Sequence, residues 1–445
     1  MNLEKIRQNT MGMILCFSIP SIISMVMTAL ITVADGFFVG NYVGKEGLAA
    51  INLGLPVIYL FLGIGLMISV GGVAIAGMAL GAGEKEKCNQ VFRQTMAVST
   101  AFSILTALLV FVFFEPMLDC LGAEGLVRDY FRAYYRVLLP ELVVMVINSS
   151  FGMFIRGEGA PRFYMKVNLI GMVLNIGLDY LFAGVLNTGI VGIAAASLMS
   201  ALFSLACILF FFYKKAQVYR LGRFSFSGEL LKSTLLNGSS EFIGEMSTGI
   251  AMFAYNFVIM RRVGVDGVSA FTIVGYVSYM FVMVVVGFGQ GTSPLVSFAY
   301  GAQEKTLAKR IRCQTNVLVF TIGGLVFLLM TLFSGRYGEL FVKSARVQEM
   351  VRTGMPIFML SFFFSGVNAV TSFYFTATGC AFESAVISSA RGLVVLLACI
   401  FVLPVFFDMT GVWLAAPVTE GITFSISIYF ICKDLSGGLK KNFKV

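Results

Sequence analysis

Six carboxylates stand inside long apolar runs of this chain: Asp35, Glu141, Asp179, Glu241, Glu245 and Glu420. An acid in hydrocarbon is expensive, and one that is retained there marks an ion path, a proton relay or a substrate contact. On the run boundaries read from sequence, no Lys or Arg lies deep enough to neutralise them, which leaves protons or metal cations as the counter-charge. Asp35 and Asp179 each fall about five residues before the outer end of a run, residues 11–39 and 163–184, so a rise of about 1.5 Å per residue puts them at one depth. Asn175 is one turn from Asp179 on the same helical face, and Ser197 lies about two turns into the run at 190–213. Two neighbouring acids resist double ionisation, so the pair can take up and release a single proton, and the same oxygens can alternatively coordinate sodium. The plainer alternative is a pair of protonated acids that hydrogen-bond as glue between helices.

Glu241 and Glu245 are four apart in the run at 234–260, on one helical face, at a depth near the bilayer midplane. Substrate sites of duplicated transporters lie at that depth. A desolvated negative pair favours lipophilic cations, and Tyr255, Tyr276 and Tyr279 can add cation–π contact, although a chain with 44 phenylalanines puts rings on every face. Glu141 follows Pro140 near the outer start of the run at 134–155 and is expected to cap that helix or reach the headgroups. Glu420, three residues after Pro417 in the run at 411–432, is placed toward the interior as a further substrate or second-cation candidate, with no partner that spacing can name.

The elements that must hold these groups are membrane spans. With 58% hydrophobic and 12% charged residues and a mean hydropathy of +0.89, the chain needs lipid as its solvent. About twelve apolar runs of roughly 20 residues follow one another between residues 11 and 432. The leader before Met11 lacks a small-residue cleavage site and the first run is too long for a signal core, so it reads as a retained helix. Twelve crossings return both termini to one side. That side collects Lys5, Arg7, Lys85, Lys87, Lys214, Lys215, Arg220, Arg223, Lys305, Lys309, Arg310, Lys440, Lys441 and Lys444, whereas Glu115, Asp119, Glu124 and Asp129 fall on the other, so the positive-inside rule puts both termini in the cytoplasm.

The net charge of +9 is therefore topological rather than a nucleic-acid footprint. Eight cysteines show no CxxC pair or zinc spacing, and the absence of histidine removes zinc-hydrolase and histidine-based nucleophilic chemistry. No GxxxxGK[ST] motif is present, so an ion gradient rather than ATP is the expected energy source. The expected partners are small lipophilic cations and membrane lipid, with no cofactor and no obligate protein partner.

The chain also repeats itself. Leu80-Gly81-Ala82-Gly83-Glu84-Lys85 is answered by Tyr300-Gly301-Ala302-Gln303-Glu304-Lys305, 220 positions later. Gln94-Thr95 and Gln314-Thr315, Gly44 and Gly264, Gly47 and Gly267, and Gly159 and Gly379 keep that offset, and Gly192 pairs with Gly411 after a single-residue slip. Six helices per repeat is an even number, so both halves enter the membrane alike, are related by an axis along its normal, and enclose a substrate between them. The expected division is a six-helix bundle at 1–215, a cytoplasmic linker at 216–232 and a second bundle at 233–445. Gly71-Gly72 in one half, and Gly287, Gly289, Gly291 and Pro294 in the other, serve either helix bending or close packing.

Three segments resemble the multidrug and toxic compound extrusion family: Ala34-Asp35-Gly36-Phe37-Phe38-Val39-Gly40, Asn175-Ile176-Gly177-Leu178-Asp179, and Gly287-Phe288-Gly289-Gln290-Gly291 running to Pro294. The resemblance covers nearly the whole chain. It implies an all-α integral membrane fold of twelve transmembrane helices in two pseudo-symmetric six-helix bundles that alternate access across a bacterial cytoplasmic (inner) membrane, exporting organic cations against inward-moving H+ or Na+. It further implies a coupling-cation site at Asp35, Asn175, Asp179 and Ser197, the last often threonine in relatives. A lipid-linked oligosaccharide or lipid flippase of the same superfamily would place several Lys or Arg at mid-membrane. An intramembrane aspartyl protease built on Asp35 and Asp179 would have no use for the duplication, and no filter-like re-entrant loop suggests a channel.

Overall fold

Leu, Ile, Val, Phe and Met fill these runs without a continuous polar face, and a backbone in lipid must satisfy its own hydrogen bonds, so each run becomes a helix. In the computed structural model, which describes residues 3–120, 122 and 124–438, helices 1–6 are Thr10–Tyr42, Leu55–Gly81, Lys85–Val112, Gly125–Glu158, Pro161–Asp179 (prolonged by a π-helical turn, Tyr180–Val185) and Gly189–Lys214. Helices 7–9 are Gly228–Arg262, Val265–Gly301 and Lys305–Glu339. Helix 10 is a pair, Ala345–Met359 and Phe362–Ala377, bent by 44°. The last stretch, Ala381–Leu435, has 55 residues and as one rod would be about 80 Å long, well over twice the hydrocarbon thickness. Asp408, at φ 45° and ψ −128°, breaks it into helices 11 and 12, giving twelve spans among the described residues. Lys440, Lys441 and Lys444 lie outside the described residues.

Helix 4 begins earlier than its apolar run. Arg128 and Arg132, in its first turns, each donate to Glu115 at 2.7 Å, and Arg128 also pairs with Asp119 at 2.7 Å. These ion pairs tie the preceding short helix, Phe114–Cys120, to helix 4 and hold the Glu115 carboxyl down at about 2, through hydrogen bonds first from Arg132 and then from Arg128. The acidic loop expected on this face is thus largely neutralised by its own arginines.

The connection between the halves is pinned to the first bundle. Residues 216–227 form no helix, and Glu158 accepts from the backbone N–H groups of Gln217, Val218 and Tyr219, at 2.6, 2.8 and 3.1 Å. Arg93 donates to the carbonyls of Arg220 and Arg223, both at 2.8 Å, and Gln94 pairs with both backbone groups of Ser227. On the same side of the membrane the N-terminal turn crosses to the second bundle. Ile6 is fully buried among Leu307 and Ile311 of helix 9, and Arg7 forms an ion pair with Glu304.

The two bundles meet through glycine. A Cβ at Gly81 would collide with the carbonyl oxygen of Phe298, and one at Gly301 with the carbonyl oxygen of Met78. Both pairs are related by the 220-residue offset, so the contact is reciprocal about a pseudo-two-fold axis. Gly71 lies against Thr234 and Gly238 of helix 7, and its equivalent Gly291 against Phe17 and Ser18 of helix 1. These backbone approaches sit in the half of the membrane nearer the termini. Close packing, rather than helix bending alone, is what the paired glycines supply.

Because Gly238 faces the carbonyl of Met67 and Gly244 on the same helix faces open space, alanine separates the two. Gly238→Ala should destabilise the detergent-solubilised protein by about 1–3 kcal/mol through overpacking. Gly244→Ala should leave the thermal midpoint unchanged or slightly raised, and equal midpoints for the two variants would remove the steric account.

Candidate functional site

In the first bundle, helices 1, 5 and 6 bring Asp35, Asn175, Asp179 and Ser197 together. Ser197 Oγ donates to Asp35 Oδ2 at 3.3 Å, and Asn175 Nδ2 donates to Ser197 Oγ at 3.2 Å. Asp179 is the last α-helical residue before the π-helical turn at Tyr180–Val185, a local widening of the kind often found at functional sites. Its carboxyl interacts directly with that of Asp35. Asn175 and Asp179 are fully buried.

What distinguishes the cluster is a shortage of donors. Asp35 Oδ1, Asn175 Oδ1 and both carboxyl oxygens of Asp179 are buried with no hydrogen-bond partner among the described residues. Orphaned acceptors of this kind are costly unless something positive occupies the site. Two carboxylates with an amide and a hydroxyl oxygen fit either a shared proton or a sodium ion. Among the described residues no three acids converge on a metal position.

Glu141 belongs to this neighbourhood, which corrects its expected place at the headgroups. Helix 4 starts at Gly125, so Glu141 stands about 24 Å along it and interacts electrostatically with Asp35. Tyr134, two turns earlier, interacts with Asp35, Glu141 and Asp179. The Arg128 and Arg132 pairings that extend helix 4 are what the run length concealed.

In the second bundle the candidates separate. Glu245 packs over Gly63 of helix 2, with its Cβ 3.6 Å from where a Gly63 Cβ would stand, and interacts with Tyr59 of helix 2 and Tyr279 of helix 8. It therefore faces the seam between the bundles. Glu241, one turn nearer the termini, interacts with Glu245 and with Arg391. Tyr276 does not join them. It is 51% exposed and stacks on Phe341 at 5.7 Å. Tyr255 stacks on Phe271 at 4.5 Å inside the bundle, away from the seam.

Glu420 has partners that spacing did not name. Arg391 donates to Glu420 Oε1 through Nε at 3.2 Å and Nη2 at 2.9 Å, Asn368 Nδ2 donates to Oε2 at 2.7 Å, and Ser427 in turn donates to Asn368 Oδ1 at 2.9 Å. Helix 11 begins at Ala381 rather than near 385, so Arg391 sits about 15 Å into the span. It lies on a second π-helical turn, Ala390–Val394. A second cation, Arg156, is 2% exposed and reaches from helix 4 to Gln290 of helix 8 at 2.8 Å, across the seam. Arg391 corrects the expectation that no basic side chain lies deep enough in the spans to neutralise an acid, whereas Arg156 stands in the last turn of helix 4.

Removing Arg391 would strand Glu420, which is buried. Arg391→Gln should destabilise by about 3–5 kcal/mol and Arg391→Gln/Glu420→Gln should recover most of that loss, as a double-mutant cycle of thermal unfolding in detergent would read. Additive losses would mean that the pair is not coupled.

Comparison with known proteins follows this geometry. The MatE family model matches residues 20–181 and again 243–406, once in each half. Over 414 residues the chain is 21% identical to the multidrug export protein MepA of Staphylococcus saprophyticus, covering 91% of this chain and 90% of that one, and it is 22% identical over 420 residues to MepA of Staphylococcus aureus, with the same coverage. The fold is similar to a solved multidrug resistance MATE family transporter in an outward-facing conformation, with a TM-score of 0.90, 24% identity and 96% of each chain covered. A MATE structure in a bent conformation gives a TM-score of 0.89 at 24% identity, over 96% of this chain and 95% of that one. An integral membrane protein of twelve helices, duplicated in sequence and matched once per half by this family model, this chain belongs to the MatE family of transporters.

Proposed function

We propose that the protein is a proton-coupled antiporter that exports lipophilic organic cations from a bacterial cytoplasm by alternating access. The observation that carries the reading is the Asp35–Asp179 pair: two acids in direct interaction, with three of their four oxygens buried and lacking a donor. One proton shared between them supplies the missing donor and removes the repulsion between two buried charges. Ser197 and Asn175 order the site, because the Ser197 hydroxyl that donates to Asp35 itself accepts from Asn175. Protonation from the far side and release toward the termini would return the pair to its charged state once per cycle.

Glu245 and Tyr279, with Tyr59 opposite, offer an acid and aromatic faces at the seam, which is the chemistry of a lipophilic cation site. The relatives named multidrug export proteins support the same direction of transport. The basic side chains gathered on the terminal side support a cytoplasmic location for the described N-terminal residues and for the bundle connection. A flippase for anionic lipid-linked sugars would need unpaired cations at mid-membrane, whereas Arg391 is neutralised by Glu420 and Arg156 stands in the last turn of helix 4. Sodium is the second reading, favoured by the neutral oxygens of Asn175 and Ser197 beside the carboxylates.

In proteoliposomes loaded with a fluorescent lipophilic cation, an imposed pH gradient should drive efflux. Asp35→Asn and Asp179→Asn should each lower the initial rate at least about tenfold, the order expected for loss of a positioned acid–base group. Ser197→Ala should have a smaller effect. Efflux driven by a sodium gradient and indifferent to pH would replace the proton with sodium, and no dye movement under either gradient would remove the exporter reading.

A further inference from the structure

The last turn of helix 4 carries a buried charge with no counter-ion in the described protein. Arg156 is 2% exposed. Its Nη1 donates to Gln290 Oε1 and to Met153 Sδ, both at 2.8 Å, and its guanidinium lies 4.8 Å from the centre of the Tyr164 ring. Nε and Nη2 are buried with no hydrogen-bond partner among the described residues. No carboxylate pairs with the guanidinium among those residues, and the titratable group beside it is the Tyr164 phenol. A helix C-terminus and a ring face both favour a cation, but together they fall short of the cost of burying a guanidinium unpaired.

The internal repeat shows that the scaffold does not require this charge. Thr376 stands 220 residues after Arg156, and Val70 220 before Gln290. Thr376 is fully buried, and its hydroxyl bonds to those of Ser240 at 3.1 Å and Ser384 at 2.7 Å. The corresponding place in the second bundle is thus neutral and satisfied. Around Gln290, by contrast, further donors want an acceptor. Ser293 follows it by one turn on helix 8, and Ser18 of helix 1 has its Cα 2.7 Å from where a Gly291 Cβ would stand. Both hydroxyls are buried with no hydrogen-bond partner among the described residues.

We propose that Arg156 Nε and Nη2 bind a small monovalent inorganic anion of chloride size in the seam between helices 4 and 8. A halide only accepts hydrogen bonds and carries one charge, which matches one guanidinium with two free nitrogens. The near-complete enclosure of Arg156 excludes a lipid headgroup or an organic substrate. Arg156 belongs to the first bundle and Gln290 to the second, so the site is whole only while the bundles meet on the side of the termini. The anion enters from the solution on that side when the bundles part and is trapped when they close, and closure of the seam thereby depends on it. This inference stands apart from the export reading and is tested without transport.

The probe is chloride, compared with gluconate, which is too large for the site, at equal ionic strength. Thermal unfolding of the full-length protein in detergent should show a midpoint about 3 °C higher in chloride, as binding to the folded state alone requires. Gln290→Glu places a carboxylate against Nη1 and supplies the missing charge from within. That variant should hold in gluconate the midpoint that the wild type reaches in chloride, and should no longer respond to chloride. Arg156→Gln should also lose the response, and if it fails to fold, Gln290→Glu decides alone. In crystals grown with bromide, an anomalous peak should stand within hydrogen-bonding distance of Nε or Nη2. Equal wild-type midpoints in the two salts would overturn the site. So would a chloride response that persists in Gln290→Glu, or bromide found only away from Arg156, since either means an adventitious ion only.

Discussion

Backbone contact between the two bundles is the constraint from which the rest of the architecture follows. Apolar side chains gain nothing by leaving lipid for one another, so helices in a membrane associate through close packing and polar contacts. Here the packing is carbonyl against glycine, with Gly81 on Phe298 and Gly301 on Met78. Because these contacts are exchanged by the internal repeat, neither bundle is the fixed partner. The same geometry that lets one half dock lets the other dock identically, and the seam is a symmetric line of close contact with Gly71 and Gly291 farther along it.

That seam explains where the polar groups are. Those proposed to meet a ligand, Glu245 with Tyr59 and Tyr279, sit at it. Those that must stay organised are enclosed within a bundle: the Asp35–Ser197–Asn175 chain in one, and the Arg391–Glu420–Asn368–Ser427 chain in the other. Each enclosed network lies beside a π-helical turn, at Tyr180–Val185 and at Ala390–Val394. A π turn leaves backbone hydrogen bonding irregular and rotates the following side chains, which helps a helix aim a polar residue inward.

The duplication has preserved scaffold and diverged in chemistry. Gly81 and Gly301 keep the seam, and Gly159 and Gly379, both at positive φ, keep the turns between helices 4 and 5 and between helices 10 and 11. Where the first half has the acid Asp35, the second, 220 residues later, has Tyr255, whose buried hydroxyl has no hydrogen-bond partner among the described residues. A two-bundle transporter in this form has unlike halves on a like frame.

The sequence by itself determined the membrane solvent, the helix count and the repeat, because apolar run length and a constant 220-residue offset are local or linear properties. It also brought out Asp35, Asn175, Asp179 and Ser197 as candidates, since acids in apolar runs are few and the family resemblance supplied the rest. Tertiary structure decided what depends on helix ends and on facing partners. Glu141 joined the Asp35 neighbourhood because Arg128 and Arg132, paired with Glu115, extend helix 4 outward. Arg391 became the partner of Glu420 because helix 11 starts at Ala381, a boundary that hydropathy blurs among the small residues Ala381, Ser384 and Ala385. Tyr276 and Tyr279 are separated by less than one turn, yet only Tyr279 interacts with Glu245, since a rotation of about 300° between them turns the other ring to Phe341. Spacing along one helix cannot say which neighbour fills each of its faces, and that is settled only when the other eleven have packed.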